Sequence, residues 1–247
     1  MELTRDGFLG GRIGIDQPKT GFRSGVDAVL LAASIPAKSG QSCLELGLGV
    51  GAASLCLAAR VGGLVQAGLE VQDEYAAIAR SNAADNGVEL AVHCGDVGAM
   101  PAALRAATFD HVFMNPPYYR AGEWTGARGP DRSTALGESA ALSIWIDAAT
   151  RRLRPGGMLS VIQKAPRLDD VIRASDDRLG SLEIKPISPR VGRMAELVIV
   201  RFKKGGRGAT KIHAPLIMHA GAKHERDGAN FSDLAENILR NGQILEF

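Results

Sequence analysis

The sequence Asn115-Pro116-Pro117-Tyr118 combines an amide, two consecutive prolines and an aromatic ring directly after a short apolar run. The prolines fix the backbone and lack N–H groups, so the carbonyl oxygens around them remain available as hydrogen-bond acceptors. The amide oxygen of Asn115 and the carbonyl oxygen of Pro116 can accept the two protons of an NH2 group, while Tyr118 stacks on a planar group. The motif therefore predicts a site that orients an exocyclic amine or a side-chain amide for attack by its nitrogen.

A glycine-rich turn lies earlier in the chain, where an apolar strand pattern changes to a helical pattern, and contains Gly47, Gly49 and Gly51. Such a turn lets a ligand approach the backbone at a helix N-terminus. Gly47, Gly49 and Ala52 also satisfy the dinucleotide-binding pattern G-x-G-x-x-G/A, so the turn alone does not identify the ligand. Glu45, two residues before the first glycine, would repel a pyrophosphate and favours an ammonium group or its surrounding water.

Two further acidic residues follow predicted strands. Glu70 lies 23 residues after Gly47 and can accept both hydroxyl protons of a ribose. Asp96 follows the next predicted strand, where it can accept a hydrogen bond from an adenine amine. Taken singly, each is equally consistent with a helix N-cap or a loop acid. With Glu45 they place three acids at the ends of consecutive strands, which is the edge where open α/β sheets bind ligands.

Between residues 40 and 203, short apolar runs alternate with longer helical patterns. These are the elements that position the candidate residues. This alternation predicts an α/β fold with a mostly parallel sheet and helices on both faces. Seven strands are predicted, at residues 42–46, 65–70, 89–94, 109–114, 158–163, 182–186 and 196–202, with the main helices at 25–33, 52–60, 74–86, 136–153 and 231–239. Residues 187–195 are too few for a parallel crossover, so the last two strands should form an antiparallel hairpin at the sheet edge.

The composition is that of an ordinary globular protein, with 45% hydrophobic and 23% charged residues among 247. We expect one domain over residues 1–247, made of an N-terminal segment (1–39), the core sheet (40–203), and a basic loop with a C-terminal helix (204–247). Because no apolar run is long enough to span a bilayer and no signal-peptide pattern is present, we expect a cytoplasmic protein without a membrane partner. The three cysteines lack C-x-x-C spacing and the histidines do not cluster, so no metal is expected.

The net charge of +2 hides an uneven distribution, because residues 185–226 contain ten Lys or Arg and only two acids. A basic stretch on a near-neutral protein is typical of a polyanionic partner such as nucleic acid, although lysines also protect an exposed strand edge from aggregation. The candidate phosphate contacts, in this stretch and after the Asn-Pro-Pro-Tyr motif, are Lys203, Lys204, Arg207, Arg120, Arg128 and Arg132.

The Asn-Pro-Pro-Tyr motif, the glycine turn and the acids together resemble the class I S-adenosylmethionine-dependent methyltransferases that modify an amino or amide nitrogen. Within that group, residues 20–31 (Thr-Gly-Phe-Arg-Ser-Gly-Val-Asp-Ala-Val-Leu-Leu) and the ending around Asn230-Phe231-Ser232 resemble the bacterial tRNA (valine) adenine-N6 methyltransferases, which modify the adenine beside the anticodon. The resemblance covers nearly the whole chain. It implies a Rossmann-like seven-stranded methyltransferase sheet and S-adenosyl-L-methionine as the cofactor.

The resemblance also implies a role for each candidate residue. Arg23 and Asp27 would border the methionine end of the cofactor, in an N-terminal segment that covers it. The remaining implied cofactor-binding residues are Glu45, Gly47, Gly49 and Gly51 around the sulfonium and ribose, Glu70 on the ribose hydroxyls, Asp96 on the adenine amine, and Asn115. The catalytic residues implied for the target base are Asn115, Pro116, Pro117 and Tyr118.

The expected reaction is methylation of adenine N6 in tRNA, on a base that is turned out of its stack. The motif leaves three other targets open, namely guanine N2 in rRNA, adenine N6 in DNA and the N5 nitrogen of a protein glutamine. The DNA enzymes normally carry a separate recognition domain and the glutamine enzymes an N-terminal helical domain, for which this chain has no room. An NAD-dependent dehydrogenase would leave Asn115 to Tyr118 without a role, and the intact motif argues against a non-catalytic RNA-binding module. The sequence does not predict an oligomeric state.

Overall fold

The computed structural model describes residues 2–116, 142–221 and 230–247. The strands are β1 (Leu3–Phe8), β2 (Ile13–Pro18), β3 (Ser42–Leu46), β4 (Val65–Glu70), β5 (Leu90–Cys94), β6 (Phe109–Met114), β7 (Leu153–Lys164), β8 (Leu179–Ser188), β9 (Leu197–Lys204), β10 (Lys211–Ile212) and β11 (Leu216–Ile217). The α-helices are α1 (Val26–Ser34), α2 (Ala52–Arg60), α3 (Asp73–Asp85), α4 (Ala102–Ala106), α5 (Leu142–Arg152), α6 (Leu168–Ala174) and α7 (Asp233–Asn241).

The described strands form one large sheet and a separate hairpin. The strand order of the large sheet is β10-β8-β9-β7-β6-β3-β4-β5, and β11 also pairs with β8. Strands β3 to β7 run parallel, while β9 lies between β7 and β8 and is antiparallel to both. The prediction of an α/β fold with a mostly parallel sheet and a final antiparallel pair is therefore confirmed.

The predicted count of seven strands is wrong, because the large sheet has nine strands and β1 and β2 form an antiparallel hairpin outside it. The residues of β1 alternate between exposed and half-buried positions and carry few apolar side chains, so no strand pattern stands out. Strands β10 and β11 have two residues each, which is too short for any periodicity. They also lie beyond β8, so the antiparallel pair is not the edge of the sheet.

Strand β3 illustrates how the sheet is held between two apolar layers. Cys43 faces a core formed largely with α1 and α2, while Leu44 and Leu46 face a second core that includes Trp145 of α5. Burial of both faces explains why the strand is a nearly continuous apolar run rather than an alternating one. Glu45 is the exception within this run, and it is buried.

The register places the ends of the parallel strands level with one another. Leu46 pairs with both Leu69 and Met114, and Glu70 pairs with Cys94. We call this side of the sheet, where β3 to β7 end, the carboxyl edge, and the side where they begin the amino edge. The glycine turn and the residues that follow β4, β5 and β6 therefore meet at the carboxyl edge.

Two predicted boundaries need correction. The helix expected to end at residue 153 ends at Arg152, and β7 begins at Leu153, before the strand expected at 158–163. Lys203 and Lys204 do not belong to a basic loop but end β9, where Lys203 pairs with Met158. The ammonium group of Lys204 donates to the carbonyl of Leu153 at 2.7 Å, so its stem packs along the sheet.

No helix in the described ranges is long and apolar enough to cross a membrane. The single domain stays a prediction.

Candidate active site

The glycine turn connects β3 to α2 at the carboxyl edge. Gly47, Gly49 and Gly51 have φ angles of +71°, +54° and +88°, in the left-handed region that disfavours residues with a Cβ. A Cβ on Gly47 would lie 2.9 and 3.0 Å from two ring carbons of Trp145. The N–H of Gly47 donates to the carbonyl of Leu69 at 2.9 Å, which folds the turn over the end of β4. The turn therefore requires glycine at position 47, because the indole of Trp145 fills the space that a Cβ would need.

Glu45 is buried beneath this turn. Its Oε2 accepts hydrogen bonds from the backbone N–H of Ser54 at 3.0 Å and from the Ser54 hydroxyl at 2.5 Å. Ser54 lies in the first turn of α2, whose leading N–H groups have no partner within the helix. Burial raises the pKa of Glu45 to about 8, although the hydrogen bonds from Ser54 oppose the shift. The sequence did not predict this partner, and contact of Glu45 with the methionine end of a cofactor stays a prediction.

Glu70 and Asp96 also hold backbone in place. The two carboxylate oxygens of Glu70 accept from the N–H groups of Gly49 at 2.7 Å and Gln72 at 3.0 Å. Burial raises the pKa of Glu70, and these hydrogen bonds oppose the shift. Asp96 accepts from the N–H of Gly98 at 2.7 Å and so caps a short helical turn. Because each carboxylate oxygen has a second lone pair, both acids retain capacity to accept a hydrogen bond from a ligand.

Asn115 directly follows β6, with a buried Pro116 after it. The Oδ1 atom of Asn115 is shielded from solvent and has no hydrogen-bond partner among the described residues. Leaving such an acceptor unpaired costs about 1–3 kcal/mol, so the position calls for a donor from a ligand. Because Leu46 pairs with Met114, Asn115 and Gly47 start at the same level, about 4.8 Å apart in the strand-to-strand direction.

Three aromatic residues that were not predicted to belong to the site lie against or beside the glycine turn. The indole of Trp145 packs on Gly47, and its Nε1 is buried without a partner in the described part of the chain. Phe22 is exposed, and its ring lies 3.7 Å from the position of a Cβ on Gly49. The hydroxyl of Tyr75 accepts from the N–H of Phe22 at 3.2 Å and donates to its carbonyl at 3.3 Å. These residues come from three separate segments, so no local pattern could have identified them.

Two exposed apolar side chains lie beside the acids. Val71 directly follows Glu70, and the Cγ2 atom of Ile144 is 3.4 Å from the position of a Cβ on Gly98, in the turn that Asp96 caps. Apolar surface next to carboxylate acceptors suits a planar ring that carries polar edges. No sequence pattern indicates Ile144, because its position at the site depends on how α5 packs on the sheet.

Arg23 is engaged with the N-terminal hairpin. Its guanidinium group forms an ion pair with Asp6 and donates to the hydroxyl of Thr4 and the carbonyl of Pro18, both at 2.7 Å. These contacts anchor the segment between β2 and α1, which runs beside the glycine turn. Asp27 lies in the first turn of α1. The structure thus gives Arg23 an anchoring role, and cofactor contacts of Arg23 and Asp27 stay predictions.

The basic residues Lys203, Lys204 and Arg207 are not brought to the site. Because β9 runs antiparallel to β7, with Lys203 opposite Met158, the end of β9 lies at the amino edge. Arg201, in the same basic stretch, is buried and faces the interior rather than solvent. The basic stretch is therefore spread over both edges and the core, and contacts of Lys203, Lys204 and Arg207 with RNA stay predictions.

The described residues bring carboxylate and amide acceptors next to apolar surface at the carboxyl edge. This arrangement can hold the hydroxyl and amine groups of a nucleoside through the acids, and can orient an amine through Asn115. The described ranges contain no group of three or more His, Cys, Asp or Glu that could hold a metal ion. The predicted site residues Pro117, Tyr118, Arg120, Arg128 and Arg132 lie outside the described residues.

A family model described as the methyltransferase small domain matches residues 24–175. A curated protein from Porphyromonas gingivalis, named tRNA1(Val) (adenine(37)-N6)-methyltransferase, is 32% identical over 184 residues, covering 68% of this chain and 69% of that protein. A protein of the same name from Aeromonas hydrophila is 27% identical over 218 residues, covering 87% and 89%.

A crystal structure from Agrobacterium tumefaciens, described as a predicted O-methyltransferase, superposes with a TM-score of 0.71 at 29% identity. The superposition covers 89% of this chain and 98% of that one. The similarity therefore extends through the described elements and is not restricted to the glycine turn.

Proposed function

The chain belongs to the methyltransferase small domain family and is an S-adenosylmethionine-dependent methyltransferase, and we propose that its target is the N6 amine of an adenine in tRNA. The observation that carries this proposal is Asn115, whose buried amide oxygen has no partner in the described residues and lies beside the glycine turn. A nucleobase amine is a planar NH2 group and can supply the missing donor. The names of the two curated relatives supply the choice of adenine and of tRNA.

The carboxyl edge fits the cofactor. The left-handed conformations of Gly47, Gly49 and Gly51 form a tight turn at the start of α2, where helix N–H groups can meet a ligand. Glu70 ends β4 and Asp96 follows the adjacent β5, and both retain acceptor capacity, which suits ribose hydroxyls and an adenine amine respectively. Val71 and Ile144 supply apolar surface for the adenine ring. S-adenosylmethionine, when bound, supplies a methyl group that is activated by attachment to a positively charged sulfur.

The role of Asn115 in transfer is orientation. By accepting a hydrogen bond from the amine, its Oδ1 fixes the rotation of the NH2 group and the direction of the nitrogen lone pair. Pro116 has no N–H and so cannot compete as a donor, and its carbonyl can accept the second amine proton. No strong base is required, because the amine becomes more acidic as its nitrogen gains the methyl group and loses its proton afterwards.

Total RNA from a strain that lacks this protein provides the direct test. The purified protein is incubated with the RNA and methyl-labelled S-adenosylmethionine, and the fractionated tRNA and rRNA are digested to nucleosides. We expect label in N6-methyladenosine from one tRNA species. An unmodified transcript of that tRNA should accept one methyl group, and the same transcript with guanine in place of the target adenine should accept none.

Each other outcome identifies a different target. Label in N2-methylguanosine of rRNA, in DNA adenine, or in protein glutamine would keep the enzyme class and overturn the target. Methyl groups recovered on an oxygen would instead agree with the description of the Agrobacterium structure. The Asn115→Ala variant serves as the control, because it should lose transfer while it still binds S-adenosylmethionine.

A further inference from the structure

The turn between β8 and β9 is a firmly anchored arm. The N–H of Arg193 donates to the carbonyl of Arg190 at 3.1 Å, and Gly192 between them has a φ of +74°. The guanidinium group of Arg190 donates to the carbonyls of Ala220 and Gly221, so the base of the turn is tied to the segment after β11. The tip is therefore held in a defined position rather than being a loose connection.

The tip of this arm exposes an unusual combination of side chains. Met194 is 89% exposed and Val191 is 74% exposed, and no large apolar side chain in the described ranges is more exposed than Met194. Between them, Arg193 is exposed, and its guanidinium group has no ion pair or hydrogen bond within the described residues. The nearest acid in sequence is Glu196, which is also exposed. A cation flanked by two largely exposed apolar side chains is not typical of a protein surface without a binding role.

The arm stands at the same edge as the site. Val161 of β7 pairs with Met114, and β7 continues to Lys164, which pairs with Leu197 at the start of β9. The turn that precedes Leu197 therefore projects beyond the carboxyl edge. Strand β9 is two strands from β6, and β8 is three, which places the arm roughly 10–15 Å from Asn115 across the sheet.

We propose that Val191, Arg193 and Met194 contact the RNA strand beside the target nucleotide. This inference rests on the proposed function. Arg193 pairs with a backbone phosphate, and the apolar side chains of Val191 and Met194 lie against an unstacked base next to the one held at Asn115. Positive charge favours a polyanion over an apolar protein partner, and the position at the carboxyl edge is where a turned-out nucleotide leaves its neighbours.

Two substitutions test the two kinds of contact separately. Arg193→Glu should weaken tRNA binding about tenfold at low salt and reduce the slope of log affinity against log salt by about one. Met194→Ser should weaken binding about fivefold with an unchanged salt slope, because it removes apolar contact with a base and no charge. Both substitutions should raise the KM for tRNA and leave S-adenosylmethionine affinity and kcat at saturating tRNA unchanged.

The matched control is Arg105→Glu, which makes the same charge change on exposed α4, before β6 at the amino edge. It should alter tRNA affinity by less than about twofold at physiological salt. Thermal unfolding of all three variants checks that the fold is intact.

The outcomes separate this inference from the proposed function. If the wild-type protein methylates tRNA and both arm variants bind it like wild type, the inference is overturned and the proposed function stands. If Arg105→Glu weakens binding as much as Arg193→Glu, the effect is general charge and the arm has no special role. If the wild-type enzyme neither binds nor methylates tRNA, both proposals are overturned. If a partner protein binds the wild-type enzyme but not the arm variants, that protein replaces RNA as the partner of the arm.

Discussion

The two edges of the sheet use their polar groups differently. At the amino edge, Asp110 accepts from the N–H and hydroxyl of Ser42, both at 2.8 Å, and forms an ion pair with Arg154. The guanidinium group of Arg152 donates to the carbonyl of Leu104 at 2.8 Å and so closes the end of α4. At the carboxyl edge, the Oδ1 atom of Asn115 is buried with no partner among the described residues.

This difference shows which edge is built for stability and which for a ligand. Hydrogen-bonding capacity at the amino edge is largely used, although within the described residues Nδ1 of His111 on β6 and Oε1 of Gln66 near the start of β4 are buried without a partner. Burial lowers the pKa of His111 to about 4, so it is neutral at physiological pH. At the carboxyl edge, the unpaired amide oxygen of Asn115 costs stability that a hydrogen-bond donor from a ligand would restore.

The strongest test of the comparison is Asn115→Ala. We expect kcat to fall by about 100-fold or more, because the amine loses the acceptor that orients it. The affinity for S-adenosylmethionine and the melting temperature should change little. Steady-state methylation of a tRNA transcript, with calorimetry for the cofactor, measures both.

The control for Asn115→Ala is Asn241→Ala, which removes an exposed amide that donates to Asn237 on α7. It should leave kcat unchanged. An Asn115→Ala enzyme with wild-type turnover would show that the unpaired amide has no part in transfer.

A second test is Gly47→Ala. The new methyl group would meet the ring of Trp145, so we expect a loss of about 2–4 kcal/mol in unfolding free energy from overpacking and backbone strain combined. The affinity for S-adenosylmethionine should fall more than tenfold. Chemical denaturation and calorimetry measure the two effects.

Gly40→Ala is the matched control, since Gly40 has a φ of +84° but no atom within 4 Å of its Cβ position. It should show only the backbone strain, about 1 kcal/mol. Replacing Trp145 by Phe in the Gly47→Ala background should restore part of the lost stability, and equal losses in the two glycine variants would contradict the proposed clash.

A third test concerns the buried acid of the carboxyl edge. The pKa of Glu45 is raised to about 8 in the folded protein, so the folded state holds this proton more tightly than the unfolded state. The resulting stabilisation is complete below the unfolded pKa and is lost as the pH rises through about 8. Glu45→Gln should therefore lose less stability than wild type between pH 5 and pH 8, as measured by urea unfolding at each pH.

Glu89→Gln, at an exposed position just before β5, is the control for this pH series. It should keep the wild-type profile. If the free energy of unfolding changes with pH in the same way for Glu45→Gln and wild type, Glu45 is ionised over the whole range from pH 5 to pH 8.

The smallest effect is expected at the amino edge, for Asp110→Asn. Burial acts to raise the pKa of Asp110, but the hydrogen bonds from Ser42 and the ion pair with Arg154 outweigh it and lower the pKa. The substitution should cost about 1 kcal/mol at neutral pH, and the cost should shrink as the pH falls through the folded pKa of the carboxyl group. Methylation should be unaffected.

Asp169→Asn, which removes an exposed ion pair with Arg173 on α6, should cost less than Asp110→Asn. A large loss of methylation in Asp110→Asn would show that the two edges are not functionally separate.

Much of the central sheet was predictable because its strands are apolar runs bounded by glycine, proline or helical patterns. The predicted bounds of β3, β4 and β6 agree with the structure. The N-terminal hairpin was not predictable, because it is stabilised by distant side chains such as Asn86, which accepts from the N–H of Gly14 at 3.1 Å. Such long-range pairing leaves no local periodicity.

The candidate site also has a part that the sequence predicts and a part that depends on packing. The glycine turn and Asn115 follow strands directly, so their meeting at one edge follows from a parallel topology. The packing of Trp145 on Gly47, and the distance of Lys203 from the site, depend on helix packing and on the reversed direction of β9. Neither is encoded in residue spacing.

Asn82 has a consequence for motion at the site. Its fully buried amide accepts from the N–H of Asp16 at 2.8 Å and donates to the carbonyls of Asp16 and Val50, both at 3.0 Å. One side chain thus joins the N-terminal hairpin to the glycine turn, so fluctuations that open the turn also release the hairpin amide. A ligand that reduces the motion of the glycine turn should slow hydrogen exchange of the backbone amides in β2, even if no atom of β2 contacts that ligand.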